Sequence, residues 1–173
     1  PFMFDTVLIA GLGLMGGSMA KTIKARTLSR VLGWNRTRAT AEQALADGSI
    51  DAIATEALYK EADLVIIGLY PQATVDWLLE NMPKMKKGCV IVDMVGVKQF
   101  MVDHLEQAAL DAGVHYVGGH PMAGREFSGL DFALPTLFDG ASMIFVPTRS
   151  STERVLEQLE AYFMSLGFGQ TVR

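Results

Sequence analysis

The chain holds one cysteine in 173 residues, Cys89, inside the apolar run Cys89-Val90-Ile91-Val92. A single thiol excludes an intramolecular disulfide and any metal site built on paired cysteines, and it fits a reducing compartment such as the cytoplasm. An excess of basic charge is also missing: 15 Lys and Arg stand against 19 Asp and Glu, a formal net of -4 at pH 7. That balance offers no general attraction to nucleic acid or to an anionic membrane. No apolar stretch approaches the roughly 18 residues of a membrane span. The start, Pro1-Phe2-Met3-Phe4-Asp5, has neither the basic region nor the cleavage pattern of a signal peptide. The expectation is a cytoplasmic protein with neither nucleic-acid nor membrane partners.

Half of the residues are hydrophobic and 17 are glycine, which suits one ordinary globular domain over residues 1–173. Short apolar runs at 6–10, 31–34, 64–69, 90–92, 114–117 and 142–146 read as buried strands. Between them lie helical periods. Lys98 to Ala112 sets Met101, Leu105, Ala108, Ala109 and Ala112 on one face. Thr152 to Leu166 does the same with Val155, Leu159, Tyr162, Phe163 and Leu166 before Gly167 stops the helix, and 168–172 starts one more strand. This alternation predicts an α/β fold, a Rossmann-like, doubly wound and mostly parallel sheet with helices on both faces. The stretch from His120 to Gly140 is expected to be a long loop, functional or mobile.

Gly11-Leu12-Gly13-Leu14-Met15-Gly16 follows the first strand and opens a helix containing Met19, Ala20 and Ile23. A bare G-x-G-x-x-G says little, but a strand before it and a helix after it are the setting in which it binds a dinucleotide. Gly11 permits the tight turn, Gly13 lets the pyrophosphate approach, and Gly16 lets the helix pack on the strand, while helix-start N–H groups face the anion. After the second strand, folds that select NAD carry an acid for the ribose hydroxyls. Here the residues are Asn35-Arg36-Thr37-Arg38. Neutral Asn35 removes repulsion against a 2′-phosphate, and Arg36 or Arg38 with Thr37 can hold one, which leans to NADP. NAD stays open, with Asn35 serving the ribose through a neutral hydrogen bond. Leu69, Tyr70 and Pro71 leave another strand at its carboxyl end, where such cofactors lie.

Downstream, Gly118-Gly119-His120-Pro121-Met122-Ala123-Gly124 sets one histidine before a proline, which biases its backbone toward extended conformations. The glycines let a ligand approach the main chain. A histidine near an apolar strand is by default a hydrogen-bonded structural residue, the reading kept for His104 and His115. For His120 the dinucleotide fingerprint upstream tips the balance toward a base in redox chemistry.

Together, residues 11–18, Asp93 through Lys98, and Gly119 through Gly124 with Glu126, Ser128 and Gly129 resemble the nucleotide-binding half of the prephenate dehydrogenase family, over essentially the whole chain. The resemblance implies NAD- or NADP-dependent oxidative decarboxylation of prephenate to 4-hydroxyphenylpyruvate in tyrosine biosynthesis, with arogenate the substrate of sister enzymes. It implies that His120 takes the hydroxyl proton as hydride leaves the carbinol carbon, a task imidazole suits, and that no metal takes part. Glu126 falls at the place of an acid lining the family's active-site entrance, and Lys98 matches the family's lysine, whose other role is to stabilise the loop or helix start. Arg125 can meet a substrate carboxylate on electrostatic grounds alone, and Ser128 suits a turn as well as a polar contact.

Two departures qualify the resemblance. Gly96 stands where the family has a serine that orients the histidine and the substrate hydroxyl. The family's helical C-terminal dimerisation domain, with its basic residue for the substrate carboxylate, has no counterpart here. The resemblance therefore implies a homodimeric parent and a 173-residue chain that binds cofactor but turns over prephenate slowly. A beta-hydroxyacid dehydrogenase or imine reductase opens on a similar glycine loop, against which the histidine segment argues. A cofactor-sensing module is the non-enzymatic alternative.

Overall fold

Apolar side chains at every position from Val7 to Ala10 make β1 (Thr6–Ala10) a strand buried on both faces, and it lies inside the sheet rather than at an edge. The computed structural model describes residues 4–95, 98–123 and 129–173. After β1 come α1 (Leu14–Arg26), β2 (Arg30–Trp34), α2 (Arg38–Ala46), β3 (Ala52–Ile53), α3 (Glu56–Tyr59), β4 (Leu64–Ile67) and α4 (Pro71–Asn81). The second half runs β5 (Val90–Asp93), α5 (Lys98–Ala112), β6 (His115–Pro121), β7 (Ser142–Val146), α6 (Glu153–Ser165) and β8 (Gln170–Val172). Among the described residues no helix is long and apolar enough to cross a membrane.

The eight strands lie in the order β3-β2-β1-β4-β5-β6-β7-β8. All neighbours from β3 to β6 are parallel, β6 and β7 are antiparallel, and β7 and β8 are parallel again. Successive residues of each strand feed opposite faces. Val7, Ile9, Leu64, Ile66, Val90 and Val92 pack with α1, α2 and α6, whereas Leu8, Ala10, Val65, Ile67 and Ile91 pack with α4 and α5. The sheet is thus covered on both sides, as the alternating pattern predicts. Helix α5 buries Met101, Leu105 and Ala109, and α6 buries Val155, Leu159, Tyr162 and Phe163 behind Thr152, whose hydroxyl accepts from Val155 N (3.2 Å).

Among the differences from the sequence reading, three stand out. Strand β4 stops at Ile67, two residues short of the expected end, because Gly68 and Leu69 turn into α4. The two-residue β3 carries too little pattern to be seen. The third bears on function: β6 runs on to Pro121, so His120 lies on a strand and not in a loop. The first half of β6 pairs with β5 as far as Val117, and the second half pairs with β7, His120 facing Ile144. Pro121 is tolerated as the last residue of the strand.

At the amino ends of the strands, carboxylates hold the incoming turns. Asp51 accepts from Val31 N (2.8 Å) and Lys24 Nζ (2.6 Å). Asp63 accepts from Thr6 N (2.9 Å) and pairs with Lys86. Asp47 accepts from Ser49 N (2.9 Å) and pairs with Lys21 (3.5 Å). Burial opposes ionisation at all three, but the hydrogen bonds and lysines outweigh it and hold each carboxyl below the ordinary 3.8.

Depressed folded-state values give stability that is fully present above the unfolded pKa and is lost as pH falls through the lower folded values. Denaturant midpoints should therefore hold from pH 7 to about pH 4 and fall below it; combining Asp47→Asn, Asp51→Asn and Asp63→Asn should flatten that fall. In the core, Phe163 is fully buried against Phe145, Tyr162 and Phe168. Urea unfolding of Phe163→Ala should show a loss of about 3–5 kcal/mol.

Candidate functional site

The glycine loop joins β1 to α1 by direct backbone packing. Gly11 adopts φ +94°, and its N–H donates to Trp34 O (2.8 Å). A Cβ on Gly16 would lie 1.7 Å from Gly11 O, so the helix reaches the strand only with hydrogen at that position. Gly13 is the opposite case: a Cβ there would meet nothing within 4 Å. It caps α1 with no side-chain hydrogen bond, leaving the first N–H groups of a 13-residue helix directed at open space. That space is a cleft of about 700 Å³ at the carboxyl ends of β1 and β4, where the strand order reverses direction.

Gly11, Gly13, Leu14 and Met15 line the cleft, as do Asn35 and Arg36 after β2, Leu69 and Tyr70 before α4, and Pro71 at its start. Leu12, Gly16 and Thr37, also expected at the cofactor, are not part of that lining. Leu12 is a core residue, Gly16 is a packing contact, and Thr37 is the residue before α2 whose carbonyl accepts from Asn35 Nδ2 (3.1 Å). Asn35 Oδ1 accepts from Leu12 N (2.9 Å). Its amide thus ties the glycine loop to the end of β2. Arg36 is exposed and has no ion pair among the described residues, whereas Arg38 pairs with Glu42 (3.3 Å).

Gly68, which opens the expected segment through Pro71, completes the cleft together with Ala73, Met94, Val95 and Gly129, which were not anticipated there. Met94 and Val95 follow β5, and their place could have been read from the rule that ligands sit beyond strand carboxyl ends. A buried carboxylate sets that end of the sheet. Asp93 accepts from Val95 N (2.9 Å) and from the Tyr116 hydroxyl (2.6 Å). Burial and the adjacent Asp93 push the Tyr116 phenol far above its ordinary range, so it stays a hydrogen-bond donor. Sequence reading assigned nothing to this pair, since one aspartate and one tyrosine 23 residues apart carry no local signal.

His120 is half-buried on β6, and its Nδ1 is a buried polar atom without a partner among the described residues. Gly119 makes its position possible, because a Cβ there would lie 2.3 Å from Asp93 O. His120 is not among the residues lining the large cleft, although Met94 and Val95, adjoining Asp93, are. His115 Nδ1 is engaged by Ser150 O (2.7 Å) and His104 Nδ1 by Phe100 O (2.8 Å), which suits structural roles. Lys98 is the first residue of α5. Glu126, Arg125, Ser128 and Gly96 lie outside the described residues.

The segment after the histidine strand returns to the glycine loop. Leu130 and Ala133 sit over Gly17, Leu134 N donates to Ser18 Oγ (3.0 Å), and Thr22 Oγ1 donates to Pro135 O (3.1 Å). Gln43 on α2 donates to Asp131 (2.8 Å). A second cleft of about 260 Å³ opens between these parts, with Gly13, Asn35 and Gly129 common to both clefts.

Comparison with known proteins places this geometry in a family. The nucleotide-binding domain of prephenate dehydrogenase matches residues 19–169. The prephenate dehydrogenase of Bacillus subtilis is 37% identical over 162 residues, which cover 91% of this chain and 43% of that protein. Two solved structures, each 25% identical, superpose over 96% of this chain and 58% of their own. The prephenate dehydrogenase of A. aeolicus in complex with hydroxyphenyl propionate and NAD+ does so with a TM-score of 0.86, and the arogenate dehydrogenase of Synechocystis with 0.85. The chain spans about half the length of the relatives it matches.

The two glycines facing opposite ways allow a paired test. Gly16→Ala should lose about 1–3 kcal/mol in thermal or urea unfolding, because the methyl group meets backbone. Gly13→Ala should unfold like the unmodified chain yet bind NADH more weakly by calorimetric titration. Equal NADH affinity in Gly13→Ala would remove the glycine loop from the ligand path.

Proposed function

The chain belongs to the prephenate dehydrogenase family, and from that membership we propose that it is the cofactor-binding part of an enzyme oxidising prephenate or arogenate with decarboxylation. The observation that carries the reading is the pairing of an open glycine-loop cleft with a half-buried histidine on the strand beside the end of β5. Gly13 and the first N–H groups of α1 suit a pyrophosphate, and the exposed Arg36 at the rim, which has no ion pair among the described residues, suits a 2′-phosphate, which supports NADP alongside NAD.

A bound nicotinamide supplies the hydride acceptor. The chain's own work is then to orient the substrate and move one proton. Nδ1 of His120 is enclosed, so Nε2 is the nitrogen that takes the proton of the substrate's carbinol hydroxyl as its C–H leaves as hydride. The carbonyl forms, the ring carboxylate departs as carbon dioxide, its bonding electrons pass through the ring to the carbonyl oxygen, and the oxygen takes back a proton as the ring becomes aromatic. Met94 and Val95, both nearly buried, wall the cleft at the end of β5 and keep that side apolar. Glu126 at the active-site entrance and Lys98 at the start of α5 remain assigned through the resemblance, and Gly96 leaves the imidazole without the family's serine. The parent protein is proposed as a cytoplasmic homodimer.

The test is a steady-state assay of the full-length parent that crosses prephenate and arogenate with NAD+ and NADP+. His120→Asn should lower kcat by about 10²–10⁴ with little change in cofactor affinity, the range expected for loss of a general base. Normal turnover by that variant would defeat the assignment.

A further inference from the structure

The end of β2 is where an acid would read the ribose, and in this chain it is occupied by an uncharged asparagine whose amide already holds two backbone groups. Asn35 Oδ1 holds Leu12 N and Nδ2 holds Thr37 O, so the side chain is a clamp between the glycine loop and β2. Asn35 brings no charge, so electrostatic discrimination at the ribose 2′ position rests with the charged groups that border the same space. Among the described residues lining the two adjoining clefts, these are Arg36 on one side and Asp131 on the other.

We propose that Asp131 is a determinant of cofactor specificity, supplying from the segment after the histidine strand the carboxylate that the end of β2 lacks. The proposal rests on the dinucleotide reading above. Asp131 borders the second cleft together with Leu12, Gly13, Asn35, Thr40 and Gln43, the residues between the glycine loop and the first turns of α2. Its Oδ1 accepts from Gln43 Nε2 (2.8 Å), a contact between residues 88 apart in sequence, and no lysine or arginine pairs with it among the described residues. The carboxylate is thus held in place while keeping its full charge. Facing a ribose, it accepts a hydroxyl hydrogen bond; facing a 2′-phosphate, it repels it. Arg36 pulls the other way, so the opposed charges suit use of both NAD and NADP. Removing the acid shifts the balance to NADP.

Asp131 is exposed, so its field is screened and the effect is modest. Asp131→Asn keeps an oxygen for Gln43 and removes only the charge. Calorimetric titration of the 173-residue chain with NAD+ and with NADP+ is the test. The expected result is a Kd for NADP+ about three- to tenfold lower in Asp131→Asn, a Kd for NAD+ within about twofold of the unmodified chain, and a difference that shrinks as salt is raised toward about 1 M. Asp131→Glu should retain the original ratio. Equal shifts for both cofactors, or an unchanged Kd for NADP+, would overturn the assignment of Asp131 while leaving the dinucleotide site intact. Failure of the unmodified chain to bind either cofactor would overturn the dinucleotide reading and this inference with it.

Discussion

Helix α1 meets strand β1 with no side chain between them, Gly16 lying against the carbonyl of Gly11. Most other features of the site follow from that contact. It brings the start of the helix to the level where β1 and β4 end, so unpaired N–H groups face the crevice instead of the core. It forces Gly11 into a left-handed turn, whose N–H bonds across to Trp34 O and keeps β2 flush with β1. Asn35, the residue after Trp34, completes the arrangement by holding Leu12 N. A larger residue at position 16 would disturb all of these at once, whereas one at position 13 would disturb none.

The two ends of the sheet are held by different chemistry. At the amino ends, surface carboxylates accept from the first strand N–H groups and pair with lysines, an arrangement that screens easily and depends on ionisation. At the carboxyl ends, one buried carboxylate, Asp93, is satisfied by a tyrosine hydroxyl and a backbone N–H away from water. The first end tolerates change; the second fixes the wall of the cleft and the height at which β6 passes it. Gly119 allows that passage, since any side chain there would strike Asp93 O.

Much of this was legible in the sequence because it repeats locally. Strand β1, helix α5, strand β7 and the glycine loop are stretches in which neighbouring residues carry the pattern, and there the sequence reading and the structure coincide. Errors arose where a partner lies far along the chain. The glycines and proline around His120 read as loop because nothing nearby shows that 142–146 will pair with them. Leu12 and Thr37, expected at the cofactor by membership of a motif, do not line the larger cleft, because a motif does not say which side chains turn inward; Leu12 borders the smaller cleft instead. Gly129 and Asp131 reach the glycine loop only through the packing of Leu130 and Ala133 on Gly17, a contact across more than a hundred residues that no periodicity announces.

Strand β6 changes partners along its length. Up to Val117 it runs with β5 and shares the frame that carries the glycine loop; from Gly118 onward it runs with β7. The backbone of the histidine is therefore set by β7, which with β8 and the aromatic cluster under α6 packs on the same core as β1 and α1. Substitutions deep under α6, far from the cleft, thereby gain a lever on the strand that carries the histidine and, through the shared core, on the helix that follows the glycine loop.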